Sequence, residues 1–322
     1  MVGEHTLVVE NRKVRYEITI KHKLNIIIGE SGTGKTLMCR MLNEGVKLRG
    51  GTPIRVKSDL KVTAVESLEE LKSVVSTGYQ LVVIDEIYFK SMVYGDAGES
   101  IARLVKDKDV YCIFITREHG FTCLPVDVYA CYRFSSSMKS NKTFVCNEQL
   151  YDWSDIDTLR PSYVYTEDTG VGETFFSKTL PNAVVRGVGG TGNFKKLLSK
   201  LKTSNSDSVF LVADGCAFGM LMPIYIELRK EVNYRLKLFL PPSFEYLILA
   251  SGIIPKVDMN RLINAYSYSR IEKYMSLEKY YEDYLSEVTS GKLSKNSKAL
   301  ENYILRPRCV DKIYEYIKEI ER

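Results

Sequence analysis

No apolar stretch in this chain approaches the ~20 residues needed to cross a bilayer. The first twenty residues, MVGEHTLVVENRKVRYEITI, alternate polar with apolar and lack the hydrophobic segment of a secretory signal. These two absences lead to the expectation of a cytoplasmic protein with no membrane partner. The seven cysteines are odd in number, scattered and never spaced as C-x-x-C. That pattern argues against a zinc site or a disulfide framework and for small buried hydrophobes. His5, His22 and His119 form no constellation with a Ser or Cys nucleophile, so none is assigned a catalytic role. Internal repeats and low-complexity tracts are missing as well.

A large excess of one charge is also lacking. The net charge of +5 permits a nucleic-acid partner without requiring one. With 45% hydrophobic and 26% charged residues the composition is that of an ordinary globular chain. Its 322 residues are long for one core and sufficient for two, since domains cluster at ~100–150 residues.

What is present begins with residues 29–36, GESGTGKT, directly after the apolar run LNIII and before KTLMCRMLNEGV, whose apolar residues recur at helical spacing. The spacing G-x-x-x-x-G-K-[ST] arises by chance in a chain this long on the order of 1% of the time. Each residue type has a physical task. Glycines let the backbone wrap so that N–H groups from Gly29, Glu30, Ser31, Gly32, Thr33 and Gly34 turn inward onto phosphates, and the helix adds its positive end. Lys35 reaches the β- and γ-phosphates, and the Thr36 hydroxyl ligates Mg²⁺.

Further on, QLVVIDE and VYCIFIT are continuous apolar runs of the kind buried on both faces of a parallel sheet, with the amphipathic AGESIARLVKDK between them. The first run ends in Asp85 and Glu86, the second in Thr116 and Arg117. Loop and acids together resemble the Walker A and Walker B elements of P-loop NTPases. The resemblance covers roughly residues 1–150. It implies that Asp85 binds Mg²⁺, Glu86 orients the attacking water, Thr116 senses the γ-phosphate and Arg117 stabilises charge. The tandem acid favours hydrolysis over transfer to a small acceptor, so an ATPase is preferred to a P-loop kinase. The antiparallel start before the loop is similar to that of ABC ATPases, but no LSGGQ-like signature follows. No NKxD guanine reader follows either, so ATP is the expected nucleotide.

The pattern restarts after DWSDIDTLRPS. YVYTED, NAVVRGV, SVFLVADG and RLKLFLP read as strands, alternating with the helix-like GETFFSKTL, GNFKKLLSKLKT and FGMLMPIYIELRKE. Glu167 and Asp168 end the first of these strands and Asp214 the third. This order resembles the Toprim domain, in which a Glu and a D-x-D pair bind Mg²⁺ for phosphodiester chemistry. The resemblance implies Glu167 and Asp214 as catalytic and metal-binding residues. The second Asp of D-x-D falls on Cys216, and a thiol is a poor Mg²⁺ ligand. Asp168 or Glu245 completes the site, or the domain has lost its chemistry. RGVGGTGNFKK lacks GK[ST] and reads as a flexible turn before a helix, with a backbone-lined phosphate contact as the minority alternative.

The remainder, from about residue 257, reads as helical, polar and rich in Tyr and Lys. Aromatics interleaved with cations can stack bases and neutralise phosphates. Tyr at helical spacing more often packs with its hydroxyl wet.

The fold class expected is α/β. A P-loop domain spans 1–150, a linker 151–160, a Toprim-like α/β domain 161–256 and a helical C-terminal region 257–322. The pairing resembles the overcoming-lysogenization-defect ATPase-nucleases, which implies ATP and Mg²⁺ as cofactors and DNA or RNA as partner. A homo-oligomer or a protein partner stays open. The alternative reading is a nucleotide-dependent binding switch whose second domain has no catalytic activity.

Overall fold

The computed structural model describes the chain apart from residues 30–31, 49–50, 86–96, 118–123, 152–160, 203–207, 296 and 321–322, and apart from the side chains of 97 and 318–320. The chain is mixed α/β. It packs as two compact units, Met1–Asp152 with Tyr266–Ser276, and Trp153–Ala265 with Leu277–Arg322. The linker read at 151–160 lies, but for Tyr151, outside the described residues.

The first unit is built on a nine-stranded mixed sheet. β1 (His5–Glu10) and β2 (Val14–Ile20) form an antiparallel hairpin, and β4 (Arg55–Ser58) pairs with the outer side of β1. The hairpin turn is held by Asn11, whose Oδ1 accepts from the amides of Lys13 and Val14 at 2.8 and 2.9 Å. β3 (Leu24–Ile28), β5 (Val62–Val65), β6 (Leu81–Asp85) and β7 (Tyr111–Thr116) form the parallel part, in the order β3-β7-β6-β5. Burial explains the difference between the two halves. Residues of β2 alternate between buried and accessible, whereas every residue of β5, β6 and β7 is buried. Each fully buried Val or Ile there contributes ~1.5–3 kcal/mol.

β8 (Cys131–Lys139) and β9 (Lys142–Gln149) connect the parallel strands to the antiparallel ones, β8 against β3 and β9 against β2. The polar stretch SSSMKSNK between the apolar parts of the two strands is mostly strand itself. Only Ser140 and Asn141 turn, at φ 49° and 61°, between the paired Lys139 and Lys142. Two left-handed residues make the tight turn whose twist suits a hairpin. The preceding Ser136, Ser137 and Met138 are exposed at its free end, so polarity reports exposure here rather than a loop.

Tyr266–Ser276 returns to the first unit. Gly3 donates its amide to the Tyr266 carbonyl at 3.0 Å. Lys23, 4% exposed, donates to the carbonyls of Lys108 at 3.0 Å and Ile271 at 2.8 Å. Burial lowers the pKa of that ammonium, opposed chiefly by neighbouring acidic groups.

The second unit carries a four-stranded parallel sheet, β11 (Val184–Gly187), β10 (Tyr163–Thr166), β12 (Ser208–Val212) and β13 (Arg235–Phe239), in that spatial order. The helices Val171–Thr179, Thr191–Leu201 and Met222–Glu231 separate the strands in sequence. The first and third strands in sequence lie side by side, so the winding direction reverses between β10 and β12. A crevice at the carboxyl ends of those two strands follows from that order. Among the described residues no helix is long and apolar enough to cross a membrane.

The tyrosines of the helix Leu277–Val288 pack inward. Tyr280, Tyr281 and Tyr284 are 2–3% exposed, with ring centroids 5.6 and 6.1 Å apart, and the Arg261 guanidinium lies 4.2 Å from the Tyr284 centroid. These rings form a packing face, not a surface for stacking bases.

Candidate functional site

In the first unit β3 ends at Ile28 and the helix Lys35–Lys47 begins seven residues later. The intervening turn is possible because Gly32 and Gly34 adopt φ of 91° and 86°. Gly34 is required for a second reason. A Cβ there would stand 2.7 Å from the Tyr16 hydroxyl, which donates to the Gly34 carbonyl at 3.0 Å. Burial, then the neighbouring Cys39, pushes Tyr16 up to about 12, so it stays a donor throughout the physiological range. Lys35 is 6% exposed and crosses the loop, donating to the Gly29 carbonyl and, at 2.9 Å, to Thr33 Oγ1. Thr36 lies half-buried in the first helical turn, which contains no acidic residue to neutralise the helix end. Glu30 and Ser31 of this loop lie outside the described residues, as does Glu86.

Strand order sets what stands beside the loop. β7 lies between β3 and β6, with Ile28 opposite Thr116 and Ile115 opposite Asp85. The carboxyl ends of three parallel strands therefore present Gly29, Thr116 and Asp85 in a row. Thr116 and Asp85 are buried, whereas Arg117 is exposed. Asp85 touches the helix that follows the loop. Its charge and hydrogen bond add to burial in raising Cys39 well above the usual thiol value. Among the described residues the cysteines are free thiols, all buried except Cys146.

In the second unit a cleft of about 590 Å³ opens at the carboxyl ends of β10 and β12. Glu167 follows β10 directly and is clamped from two sides. Its Oε2 accepts the Asp214 amide at 3.0 Å, its Oε1 accepts the Thr191 hydroxyl at 2.5 Å, and its carbonyl accepts the amides of Gly189 and Gly190 at 2.9 and 2.8 Å. The glycine-rich turn is therefore committed to positioning Glu167, and those two amides are not available to a phosphate. Asp168 accepts the Gly172 amide at 2.9 Å and so caps the helix Val171–Thr179. Asp214 sits at the start of a short helix without capping it. Cys216, at the D-x-D position, is 1% exposed.

Three further residues line this cleft from segments far along the chain: Glu245 at the start of the helix Phe244–Ala250, Glu278 at the start of Leu277–Val288, and Lys295 in the turn that follows. Glu245 is a candidate from the sequence, whereas Glu278 and Lys295 carry no motif and join the cleft only through tertiary packing. Burial raises Glu167, against the hydrogen bonds from Thr191 and Asp214. Burial, then the charges of Glu278, Glu167 and Glu245, holds Asp214 well above the usual carboxylate range. Burial pushes Glu245 up to about 7. Among the described residues no group of three His, Cys, Asp or Glu side chains is disposed to hold a metal ion.

Neither the models of known protein families nor the curated proteins contain a match to this chain.

Proposed function

We propose that the first unit binds and hydrolyses ATP, and that this gates the second, Toprim-like unit in acting on nucleic acid. The row formed by the glycine loop, Thr116 and Asp85 at adjacent strand ends carries the reading. Strand ends beside a helix N-terminus are where an α/β sheet receives a phosphorylated ligand. Lys35 donates to a carbonyl and a hydroxyl of its own loop, and phosphate oxygens would offer it stronger, charge-assisted bonds. Thr36 and Asp85 supply hard oxygen ligands that suit Mg²⁺, which when bound neutralises charge on the β- and γ-phosphates. Phosphate release from ATP tests the reading. It should be lost in Lys35→Ala, and a variant that turns over ATP like the parent would reject it.

A second reading has its own support. Cys216 occupies the position of the expected acid, Asp168 is spent on a helix cap, and the remaining acids do not gather around one point. In this reading the second unit grips nucleic acid or protein in a nucleotide-dependent way without cutting. Incubation with DNA or RNA and Mg²⁺ or Mn²⁺, with and without ATP, separates the two. Metal-dependent cleavage lost in Asp214→Ala supports a nuclease, whereas tight binding without cleavage supports the switch.

A further inference from the structure

Positive charge in the second unit is gathered along one stretch of chain. Between Glu173 and Asp207 the sequence has no acidic residue, the longest such interval in the protein, and it carries Lys178, Arg186, Lys195, Lys196, Lys200 and Lys202. Those six cations exceed the net +5 of the whole chain, so everything else together is slightly acidic. The interval folds as the end of the helix Val171–Thr179, the strand β11 and the helix Thr191–Leu201. Phe194, Leu198 and Leu201 bury one side of the last helix, which leaves Lys195, Lys196 and Lys200 exposed on the other. Lys178 donates to the Leu305 carbonyl and Lys202 pairs with Glu231 at 3.0 Å. Arg186, Lys195 and Lys196 have no acidic partner among the described residues.

Two aromatic rings adjoin this charge. β11 is the edge of its sheet, and among the described residues it pairs with β10 alone, Val184 opposite Tyr163 and Arg186 opposite Tyr165. Side chains two apart along a strand share a face, as do those paired across parallel strands. The Tyr163 and Tyr165 rings accordingly stack, with centroids 6.5 Å apart and planes 10° from parallel. Both are half-buried, and beside them Arg186 is exposed and Val184 is 46% exposed. Tyr234 links the pair to the lysine-bearing helix. Its hydroxyl donates to the Leu201 carbonyl at 2.9 Å, and burial, then the neighbouring Tyr165, raises its pKa.

We propose that this face, Tyr163 and Tyr165 flanked by Arg186 and by the lysines of Thr191–Leu201, binds single-stranded nucleic acid. The inference rests on the reading of the second unit as one that acts on nucleic acid, and deepens it by naming the surface and the form of the strand. Unpaired cations attract a polyanion, and each phosphate contact releases condensed counterions. Tyrosine rings add a sequence-tolerant platform for bases, which a duplex keeps stacked on one another. Lys196 and Lys200 lie one helical turn apart, about 6 Å, so they can reach different phosphates of one strand. A lipid surface or an acidic peptide would use the lysines and leave the rings idle. Gly189 and Gly190, between β11 and that helix, line the cleft, so the face adjoins it.

The probes are labelled oligo(dT) and oligo(U) of about 20 nucleotides and a duplex of equal length, titrated with the full chain without nucleotide or metal and followed by anisotropy. Both single strands should bind more tightly than the duplex. Arg186→Gln, Lys195→Gln and Lys196→Gln together should weaken them at least ~tenfold and lower the slope of log affinity against log salt by about 2. Tyr163→Leu should weaken them at least ~fivefold with the salt slope unchanged. Lys292→Gln, Lys298→Gln and Arg308→Gln together remove the same charge from exposed positions elsewhere in this unit and should leave affinity within about twofold of the parent. No oligonucleotide binding by the parent, tighter binding of the duplex, or equal weakening by the two triple variants overturns the proposal. Capture of phosphatidylserine vesicles in place of the oligonucleotides assigns the face to lipid and overturns it too. The titration contains neither ATP nor metal, so the two readings fail separately. Single-strand binding that depends on these residues, without cleavage, keeps the surface and removes the nuclease. Metal-dependent cleavage that the Arg186, Lys195 and Lys196 variant performs like the parent at low strand concentration does the reverse.

Discussion

Both candidate sites lie at the carboxyl ends of parallel strands, yet their charge is arranged in opposite ways. At the first site the buried ammonium of Lys35 donates to a carbonyl and a hydroxyl of its own loop. In the second, acids outnumber the cation beside them and several are held above their usual pKa. At the first, the left-handed Gly32 and Gly34 shape the turn in front of the helix. The second is under electrostatic tension, and adding positive charge relieves it. A loop built of glycines and a cleft built of carboxylates thus present charge of opposite sign.

The comparison breaks most sharply at Lys35. Its replacement by alanine should lower ATP turnover at least ~100-fold while leaving the pH dependence of stability intact. Phosphate release and thermal unfolding measured on one preparation check both halves.

Gly34→Ala comes next. It meets a left-handed φ and the Tyr16 hydroxyl 2.7 Å away, so a loss of ~2–4 kcal/mol in denaturant unfolding is expected, together with weaker nucleotide binding.

Glu245 tests the tension in the second unit. Its folded pKa of about 7 lies above the ordinary value of 4.5, so between these pH values the folded state holds a proton that the unfolded state has released. Stability should therefore be full below about pH 4.5 and fall as pH rises toward 7, by up to ~3 kcal/mol. Glu245→Gln should flatten that slope in melting curves taken from pH 4 to 8. An unchanged slope would place the tension elsewhere.

The smallest effect is expected at Gly192, in the exposed first turn of Thr191–Leu201, where a Cβ meets nothing within 4 Å. Gly192→Ala should stabilise by up to ~1 kcal/mol, in contrast to Gly34→Ala. That contrast checks that glycine in the first loop is a requirement and not a habit of composition.

Much of the architecture was legible because its signals are local. Continuous apolar runs marked β3, β6 and β7. β5 was passed over. Its four residues, Val62–Val65, are too few to show a period, and pairing along β6 makes them a strand. The helix Phe244–Ala250 was missed for the same reason, although Ser243 caps it through the Tyr246 amide at 3.1 Å. In the glycine loop the sequence marked where the chain turns, since Gly32 and Gly34 adopt left-handed φ.

The sequence by itself determined the alternation of strands and helices, the position of the loop and the acids at the strand ends, because these depend on neighbours within a few residues. Tertiary structure alone decided that Thr116 stands between the loop and Asp85, that the second glycine turn grips Glu167, and that Glu278 and Lys295 join Asp214. Those outcomes depend on strand order and on helices returning from distant parts of the chain. Electrostatic energy follows distance in space, and residue spacing along the chain carries little of that information.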